Sequence, residues 1–279
     1  MWQSHNFVSR TKFGFKFCGN SCDLIPRFVY HFGVWEPAVT RWIHSLKLSE
    51  RNFIDVGAHL GWYTLIGAQF VGPKGRVIAI EASPSTFEGL ERNVGVNDFR
   101  NVRLIPCAAW KEATELDLFP VTEWNTGTSS LVPEFLDVLE GRPVLAPSRR
   151  SVRIHARPLS EMLTPEEIRT AALLKIDTEG AELEVLEGLL PILPQFPTDL
   201  CILMEISPEV LSRRGRNADE IIRVLASYGF GAYALENEYQ AEFYLREDEA
   251  EVLPRKIDGP IIKQTDVVFM REGITPVKN

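Results

Sequence analysis

From residue 53 to residue 64 the chain reads Phe53-Ile54-Asp55-Val56-Gly57-Ala58-His59-Leu60-Gly61-Trp62-Tyr63-Thr64, and this stretch decides its fold class. A short apolar run ends in an acidic residue, and two glycines then bracket a tight turn into a helical pattern. This order is typical of the first βα unit of an open α/β sheet, where a ligand lies beyond the carboxyl end of the strand. Gly57 and Gly61 carry no Cβ, so the backbone can turn sharply there and approach a ligand closely.

The spacing of the two glycines separates two classes of nucleotide ligand. Gly57 and Gly61 lie four positions apart, and no third glycine completes the dinucleotide pattern G-x-G-x-x-G. The spacing fits better an Asp-x-Gly-x-x-x-Gly loop that wraps the methionine part of S-adenosylmethionine (SAM). A glycine pair alone is weak evidence, so the neighbouring segments have to support it.

Glu81 supports a ligand that contains a ribose. Residues 76–81 form a second β-branched strand pattern, which ends in this carboxylate. An acidic residue about 20 positions beyond a glycine loop, at the tip of the next strand, can accept both hydroxyls of a ribose. A carboxylate suits a ribose without a 2′-phosphate, so NADP is disfavoured, whereas NAD and SAM remain.

Strand and helix patterns alternate through most of the chain. After the quoted stretch come a helix near 61–70, a strand at 76–80, a helix near 84–93, strands at 102–107 and 172–177, a helix at 181–190, a strand at 200–206 and a helix at 218–228. Such alternation predicts an α/β fold with a largely parallel, doubly wound sheet. Two further strand patterns, at 230–235 and 266–270, fit an antiparallel pair that closes the sheet.

Three segments interrupt this alternation. Residues 1–50 are rich in aromatic side chains, and we expect them to form an N-terminal cap over the ligand cleft; packing without ligand contact, or a homodimer contact, is the alternative. Residues 111 to about 157 form an insertion, which we interpret as part of the substrate wall because long interruptions are usually functional or disordered. The acid-rich stretch 236–251 is interpreted as a solvated hairpin or loop.

Composition limits the class of protein. The chain has 279 residues, of which 45% are hydrophobic and 24% charged, as in ordinary globular proteins. A net charge of −8 argues against a nucleic-acid partner. Four cysteines are too few for a disulfide framework, and no His or Cys pair completes a zinc site with Cys18 and Cys22. No basic-then-apolar leader or membrane-spanning run is present, so we expect a cytoplasmic protein with no membrane partner.

The chain resembles the FkbM family of SAM-dependent methyltransferases. The segments that carry the resemblance are Trp35-Glu36-Pro37, Ile54 to Thr64, Glu81-Ala82-Ser83-Pro84 with Asn93 and Asn97, Leu174 to Glu187, and Ile202 to Glu205. The most specific of them is the run 175–182, whereas His59 stands where the family more often has asparagine. The resemblance implies a seven-stranded, mostly parallel Rossmann-like methyltransferase sheet in a domain at 51–279, with SAM as the cofactor.

The resemblance also implies the reaction, which is methyl transfer to a small-molecule acceptor, most simply at a hydroxyl of a natural product or sugar. No residue here identifies that acceptor. Two alternatives stay open, an N- or C-methyltransferase on the same fold and a SAM-binding scaffold without turnover. The presence of Asp55, Gly57, Gly61, Glu81 and Asp177 argues against a degenerate site. The missing third glycine makes a nicotinamide enzyme a distant alternative.

Candidate cofactor-binding residues follow from the motifs and the resemblance. Asp55 can order the glycine loop or receive the methionine amino group, Glu81 can hold the ribose, and the turn that begins at Cys107 would lie near the adenine. The complete predicted set is Glu36, Asp55, Gly57, Ala58, His59, Gly61, Tyr63, Thr64, Glu81, Ala82, Ser83, Cys107, Ala108 and Asp177.

Asp177, Glu179 and His59 are the candidate catalytic residues. Asp177 and Glu179 lie at the tip of the central strand, and with Glu182 they form a group of carboxylates. They could act as a general base, ligate a divalent metal, or serve the structure by capping the next helix and positioning SAM. We predict no metal as the default. His59 can hydrogen-bond the backbone or cofactor, or transfer a proton near neutral pH.

Overall fold

The computed structural model describes residues 4–120, 126–139, 150–245, 252–271 and 273. Within these residues the strands, numbered in chain order, are β1 Asn6–Arg10, β2 Lys16–Asn20, β3 Asn52–Val56, β4 Val77–Glu81, β5 Val102–Pro106, β6 Ala108–Ala109, β7 Thr114–Leu118, β8 Val152–Arg157, β9 Ala171–Ile176, β10 Cys201–Ile206, β11 Phe230–Leu235, β12 Arg255–Lys256 and β13 Thr265–Arg271. The helices are α1 Leu24–Phe32, α2 Pro37–Ser45, α3 Trp62–Phe70, α4 Pro84–Gly95, α5 Pro133–Leu139, α6 Leu159–Met162, α7 Pro165–Arg169, α8 Glu182–Leu189, α9 Pro208–Arg213, α10 Ala218–Ser227 and α11 Ala241–Leu245.

An eight-stranded mixed sheet with the order β12-β11-β13-β10-β9-β3-β4-β5 forms the centre of the fold. Strands β10, β9, β3, β4 and β5 are parallel, and β13 is antiparallel to both β10 and β11. The predicted closing antiparallel pair is therefore observed. The prediction of seven strands is wrong, because β12 pairs with Tyr233 and Ala234 at the edge of the sheet. Two residues are too few to show the period-two alternation by which a strand is recognised in a sequence.

Hydrophobic cores cover both faces of this sheet, because successive strand residues point to opposite faces. Ile54, Ile78 and the side chains of α8 and α10 belong to the core on one face. Phe53, Val77 and the side chains of α2 and α3 belong to the core on the other. The doubly wound α/β class predicted from the sequence is therefore observed.

The N-terminal residues are part of the second core as well as of the cleft wall. Phe17 and Trp42 are fully buried and share a core with the strands. The Asn93 side chain of α4 accepts a hydrogen bond from the Cys18 N–H at 2.6 Å and donates one to the Cys18 carbonyl at 3.1 Å, which ties β2 to the sheet domain. Residues 4–50 therefore pack as an integral layer of the molecule.

Strands β7 and β8 of the insertion form a small second sheet with β6, which precedes the insertion. Its order is β6-β8-β7, with β6 parallel and β7 antiparallel to β8. The Ser130 hydroxyl donates a 2.5 Å hydrogen bond to the Glu179 carbonyl, so the insertion is fastened to the turn after β9. Residues 121–125 and 140–149 of the predicted insertion lie outside the described residues.

The acid-rich segment 236–251 is not only a solvated hairpin or loop, as the sequence predicted. Residues 241–245 form α11, and Tyr244 is only 2% exposed. Aromatic contacts to Phe28 and Phe32 bury this tyrosine, which shows that an apolar face within an acidic segment can outweigh its charges. Residues 246–251 lie outside the described residues.

A search of the described residues finds no helix that combines the length and apolar character needed to span a lipid bilayer.

Candidate functional site

Two adjacent cavities lie beyond the carboxyl ends of the parallel strands. The larger, with a volume of about 660 Å³, is lined by Leu24, Trp35, Glu36, Phe135, Glu205 and Tyr239, among others. The smaller, about 60 Å³, is a narrow cleft lined by Ile80, Glu81, Ala82, Cys107, Ala108 and Leu118, among others. Gly57, His59, Gly127, Asp177 and Glu179 line both cavities. A ligand that spans both must therefore pass the glycine loop and the tip of β9.

The glycine loop, residues 57–61, is held close to the neighbouring strands. The N–H groups of Gly57 and Ala58 both donate to the Ile80 carbonyl, at 2.9 and 3.0 Å. Gly57 has a φ of +77°, and a Cβ at this position would lie 1.7 Å from the Asp177 carbonyl oxygen. The first glycine of the motif is therefore required by backbone packing against the end of β9, as well as by the backbone conformation.

Glu81 lies at the end of β4 and organises the loop. Its Oε2 accepts the His59 N–H at 2.8 Å and its Oε1 accepts the Ser83 N–H at 2.8 Å. The carboxylate is 9% exposed, and burial raises its pKa to about 7, despite these two hydrogen bonds. The Ala82 N–H also lowers this pKa by a hydrogen bond, and since a carboxylate has about four lone-pair sites, Glu81 can still accept from a ligand in the smaller cavity.

A buried ion pair lies behind the loop. Lys175 is 4% exposed, and its ammonium donates to Asp177 Oδ2 at 2.7 Å. Burial alone would lower the pKa of this lysine, but the carboxylates of Asp177 and Asp55 together raise it. Asp55 is fully buried, its Oδ2 accepts the Thr64 hydroxyl at 2.6 Å, and burial raises its pKa. Lys175 is therefore hydrogen-bonded to Asp177 and acts on Asp55 through its charge, and its nitrogen lies 4.8 Å from the centre of the Tyr63 ring.

Asp177, Glu179 and Glu205 form a carboxylate cluster on the wall of the larger cavity. One carboxylate oxygen from each lies within 4.8 Å of the others, an arrangement that could hold a hard cation. Burial and then the charge of Asp177 raise the pKa values of Glu179 and Glu205 well above their ordinary range. Such groups take up a proton more readily than an exposed carboxylate does.

Glu182 does not belong to this cluster, which corrects the grouping predicted from the sequence. Its Oε1 accepts hydrogen bonds from the N–H groups of Thr178 and Gly180, at 3.0 and 3.1 Å, and from the Thr178 hydroxyl at 3.0 Å. Glu182 thus satisfies the orphan donors of the turn that enters α8, the structural role that the sequence had left open for Glu179.

Glu36 joins three segments that are distant in the sequence. Its Oε2 accepts the Tyr63 hydroxyl, its Oε1 accepts the Tyr239 hydroxyl at 2.6 Å, and its N–H donates to the Tyr244 hydroxyl at 3.3 Å. Glu36 is 7% exposed, and burial raises its pKa. Since both carboxylate oxygens already have partners, Glu36 fixes the wall of the larger cavity around α3 and residue 239.

His59 reaches from the glycine loop to the insertion. Its Nε2 lies 2.8 Å from the Thr126 hydroxyl oxygen. The residue has a φ of +52°, in the left-handed region that histidine enters more often than most residues. Burial lowers the pKa of the imidazole, which favours a neutral ring between the two cavities.

The predicted site residues divide into two groups. Those that line a cavity are Glu36, Gly57, His59, Glu81, Ala82, Cys107, Ala108, Asp177 and Glu179. Those that lie behind the walls are Asp55, Ala58, Gly61, Tyr63, Thr64 and Ser83. Their contacts hold the glycine loop, helix α3 and the carboxylate of Glu81.

Several residues of the site were not singled out from the sequence. Glu205 follows an apolar strand pattern, the same signal that identified Glu81 and Asp177, so it could have been found. Tyr239 is an aromatic residue within an acidic segment, and Thr126 belongs to a polar loop. Neither shows a pattern that points to a cavity wall.

Comparison with known proteins shows which family this chain belongs to. A family model described as "Methyltransferase FkbM domain" matches residues 55–231, which is more than half of the chain. Methyltransferase 1 of Beauveria bassiana (strain ARSEF 2860) is 28% identical over 144 residues, which cover 49% of this chain and 57% of that protein. Methyltransferase sdnD of Sordaria araneosa is 30% identical over 156 residues, 48% of this chain and 59% of that protein. The chain thus spans somewhat more than half the length of these curated relatives.

Solved structures of low sequence identity resemble the chain more loosely. A crystal structure of methyltransferase FkbM from Methylobacillus flagellatus KT is 15% identical, with a TM-score of 0.48, and the match covers 86% of this chain and 49% of that one. A SAM-dependent O-methyltransferase from Thermotoga maritima is 12% identical, with a TM-score of 0.48, covering 98% of this chain and 79% of that one.

Proposed function

Because the chain belongs to the FkbM methyltransferase family, we propose that it transfers a methyl group from SAM to a hydroxyl of a small molecule, such as a natural product or a sugar. The observation that carries the proposal is the pair of adjacent cavities, which meet at Gly57, His59 and Asp177. One cavity contains a carboxylate suited to a ribose, and the other contains carboxylates suited to proton transfer.

The residues present fit SAM. The smaller cavity combines Glu81, which can accept a further hydrogen bond, with the turn at Cys107 and Ala108. Gly57 and His59 line both cavities, so the backbone of the glycine loop would lie against a ligand that spans them. Since the smaller cavity, at about 60 Å³, has less volume than an adenosine, we expect its wall at Leu118 to move outward as the nucleoside enters.

When bound, SAM supplies an electrophilic methyl group on a sulfonium. The residues of the chain have to align the acceptor oxygen with that methyl group and remove the hydroxyl proton. Glu179 and His59 are the candidates for this proton, because both line the two cavities. Asp177 is paired with Lys175 at 2.7 Å and is better suited to positioning. Trp35 and Leu24 of the N-terminal cap, with Phe135 of the insertion, would exclude water from the acceptor.

Methyl transfer to an amine is the second candidate function. It is supported by the carboxylate cluster and by Glu36 on the wall of the larger cavity, since carboxylates attract a cationic acceptor. The acceptor screen below therefore contains amines as well as alcohols.

The first experiment tests binding and turnover together. Calorimetry should show that the chain binds S-adenosylhomocysteine, and a panel of polyols, phenols, glycosides and amines should be screened for transfer of radiolabelled methyl from SAM. With the best acceptor, we expect Asp177→Asn and Glu179→Gln to lower kcat about tenfold or more, because Asp177 positions the site and Glu179 lines both cavities beside the reacting groups. Glu50→Gln, an exposed carboxylate outside the lining of both cavities, is the control.

One outcome would contradict the assignment, and two others would change the role given to the carboxylates. Failure of the folded protein to bind S-adenosylhomocysteine would exclude SAM as the cofactor. Near wild-type turnover in both cluster variants would assign these carboxylates a structural role. Activity that disappears in EDTA and returns with magnesium would show that the cluster of Asp177, Glu179 and Glu205 holds a metal.

Affinity for S-adenosylhomocysteine should depend on pH through Glu81. The ionised carboxylate accepts ribose hydroxyls, and its pKa is about 7, so affinity should fall as the pH is lowered through that value. Between pH 8 and pH 6 we expect the Kd to rise about tenfold, since the ionised fraction of a group with a pKa of about 7 falls about tenfold over this interval.

Glu81→Gln separates this effect from other titrations. The variant should bind about 1–3 kcal/mol more weakly at pH 8, because a buried polar partner is lost, and its affinity should be nearly independent of pH from 6 to 8. A variant that keeps the wild-type pH dependence would assign the titration to another group.

A further inference from the structure

A chain of hydrogen bonds links His59 to two residues that are distant from it in the sequence. His59 Nε2 lies 2.8 Å from Thr126 Oγ1. The same hydroxyl lies 2.5 Å from Asp23 Oδ2, and the Thr126 N–H donates to Asp23 Oδ1 at 3.1 Å. The chain therefore connects the glycine loop, the insertion and the N-terminal cap at the point where the two cavities meet.

The Asp23 side chain bonds to Thr126 and does not cap the helix that it precedes. It stands at the residue before α1, where an aspartate side chain usually accepts an N–H of the first helical turn, but it makes no such cap. Both of its oxygens accept from Thr126, 103 positions along the chain. Asp23 is 4% exposed, so these hydrogen bonds replace most of its contact with water.

The direction of each hydrogen bond follows from the donors that are present. A threonine hydroxyl has one proton, and an ionised carboxylate can only accept. The Thr126 proton is therefore given to Asp23, and the Thr126 oxygen must accept from His59. It follows that Nε2 of His59 carries a proton and that, in the neutral ring, Nδ1 keeps a free lone pair.

The charges around His59 come from several elements. Asp23 at the start of α1 and Asp177 after β9 raise the pKa of the imidazole, Lys175 of β9 lowers it, and burial lowers it most. Glu81 at the end of β4 accepts the His59 N–H and so orders the residue's backbone. The ring is thus neutral at rest but has two carboxylates near enough to stabilise an added proton.

We propose that Asp23 and Thr126 are positioning residues that hold His59 as its Nε2–H tautomer, so that Nδ1 is the proton acceptor for methyl transfer. This inference rests on the proposed function and assigns roles within the same site. The acceptor hydroxyl gives its proton to Nδ1 as its oxygen bonds to the methyl carbon. The carbon–sulfur bond breaks with its electron pair on sulfur, which leaves neutral S-adenosylhomocysteine and an imidazolium whose Nε2–H still donates to Thr126.

The tautomer can be measured without any acceptor. Nitrogen chemical shifts and cross-peak patterns in a proton–nitrogen NMR spectrum of the ¹⁵N-histidine-labelled protein distinguish Nε2–H from Nδ1–H rings. The chain has five histidines, and the signal missing in His59→Asn identifies His59. The spectra should be recorded for the free protein and for its S-adenosylhomocysteine complex.

We expect neutral His59 in the wild-type protein to be the Nε2–H tautomer. Thr126→Val removes the hydroxyl but keeps the shape and the backbone N–H, so the ring should become a mixture of tautomers. Thr126→Ser should restore the wild-type spectrum. Asp23→Asn frees the Thr126 proton to point at Nε2, so the Nδ1–H fraction should increase.

With an acceptor from the screen, Thr126→Val should lower kcat about tenfold or more while changing S-adenosylhomocysteine affinity less than about threefold.

The outcomes separate this inference from the proposed function. An Nδ1–H tautomer in the wild-type protein, or an unchanged tautomer in both Thr126→Val and Asp23→Asn, would overturn it whether or not the protein binds S-adenosylhomocysteine. Absence of that binding would overturn the methyltransferase assignment and leave the tautomer result to be judged by itself. If Thr126→Val does not fold, Asp23→Asn gives the same test.

Discussion

Replacing Gly57 by alanine is expected to weaken S-adenosylhomocysteine binding by about 100-fold or more and to destabilise the fold. The added Cβ would lie 1.7 Å from the carbonyl oxygen of Asp177 and 2.8 Å from its carbonyl carbon. These atoms belong to the backbone at the end of β9, so no side-chain rotation can relieve the contact. Either the glycine loop or the end of β9 must move, and both line the two cavities.

The stability lost in Gly57→Ala has two causes, which a second glycine variant separates. At φ +77° an alanine is strained by about 1–2 kcal/mol, apart from any contact. Gly72 has a similar φ of +72°, but a Cβ there meets nothing within 4 Å. Gly72→Ala should therefore show the backbone cost alone, and the additional loss in Gly57→Ala measures the contact with Asp177.

Chemical denaturation gives the unfolding free energy of each variant, and calorimetry gives its affinity for S-adenosylhomocysteine. Gly57→Ala should lose at least about 2 kcal/mol more unfolding free energy than Gly72→Ala, in the range typical of overpacking. Gly72→Ala should keep wild-type affinity for S-adenosylhomocysteine. If the two variants have equal stability and both bind, the close approach of the loop to β9 is not part of the site.

Replacing Lys175 by methionine should lower the unfolding free energy by about 3–5 kcal/mol near neutral pH. Lys175 is 4% exposed and pairs with Asp177 at 2.7 Å. Its charge also lowers the pKa of Asp55, which is fully buried and accepts only from Thr64 among the described hydrogen bonds. Methionine would fill most of the volume but leave Asp55 without a nearby cation.

The stability lost in this variant should depend on pH. Burial raises the pKa of Asp55 in the folded state, and removing Lys175 raises it further. The folded protein then binds more protons than the unfolded chain above the unfolded pKa, so its stability falls as the pH rises. Denaturation at pH 5 and pH 8 should therefore show a smaller loss at pH 5.

A surface ion pair provides the control for Lys175→Met. Lys74 and Glu50 lie 2.8 Å apart, with side chains 74% and 57% exposed. Exposed pairs of this kind contribute little, so Lys74→Met should leave the unfolding free energy nearly unchanged at both pH values. An equally small effect of Lys175→Met would mean that the buried pair does not stabilise the fold.

The sequence by itself determined the class of the fold and indicated where the candidate site lies. Strands β3, β4 and β9 are buried on both faces and are therefore mostly apolar, and a glycine or carboxylate stands where each one ends. Asp55, Gly57, Glu81 and Asp177 lie on such local patterns, so their positions could be read without knowing the tertiary contacts. The eighth strand could not be read, because two residues show no period.

Only the tertiary structure decided how these side chains are partnered. Glu36 pairs with Tyr239 across 203 positions of the chain, and Asp23 pairs with Thr126 across 103. Glu205 joins Asp177 and Glu179, while Glu182 turns back to its own helix. A strand gives a regular sequence pattern because its buried positions recur at a fixed spacing. A hydrogen bond between two loops needs only one donor and one acceptor, which folding brings together. Such pairs produce no regular pattern in the sequence, although their hydrogen bonds and charges shift the pKa values of the site residues.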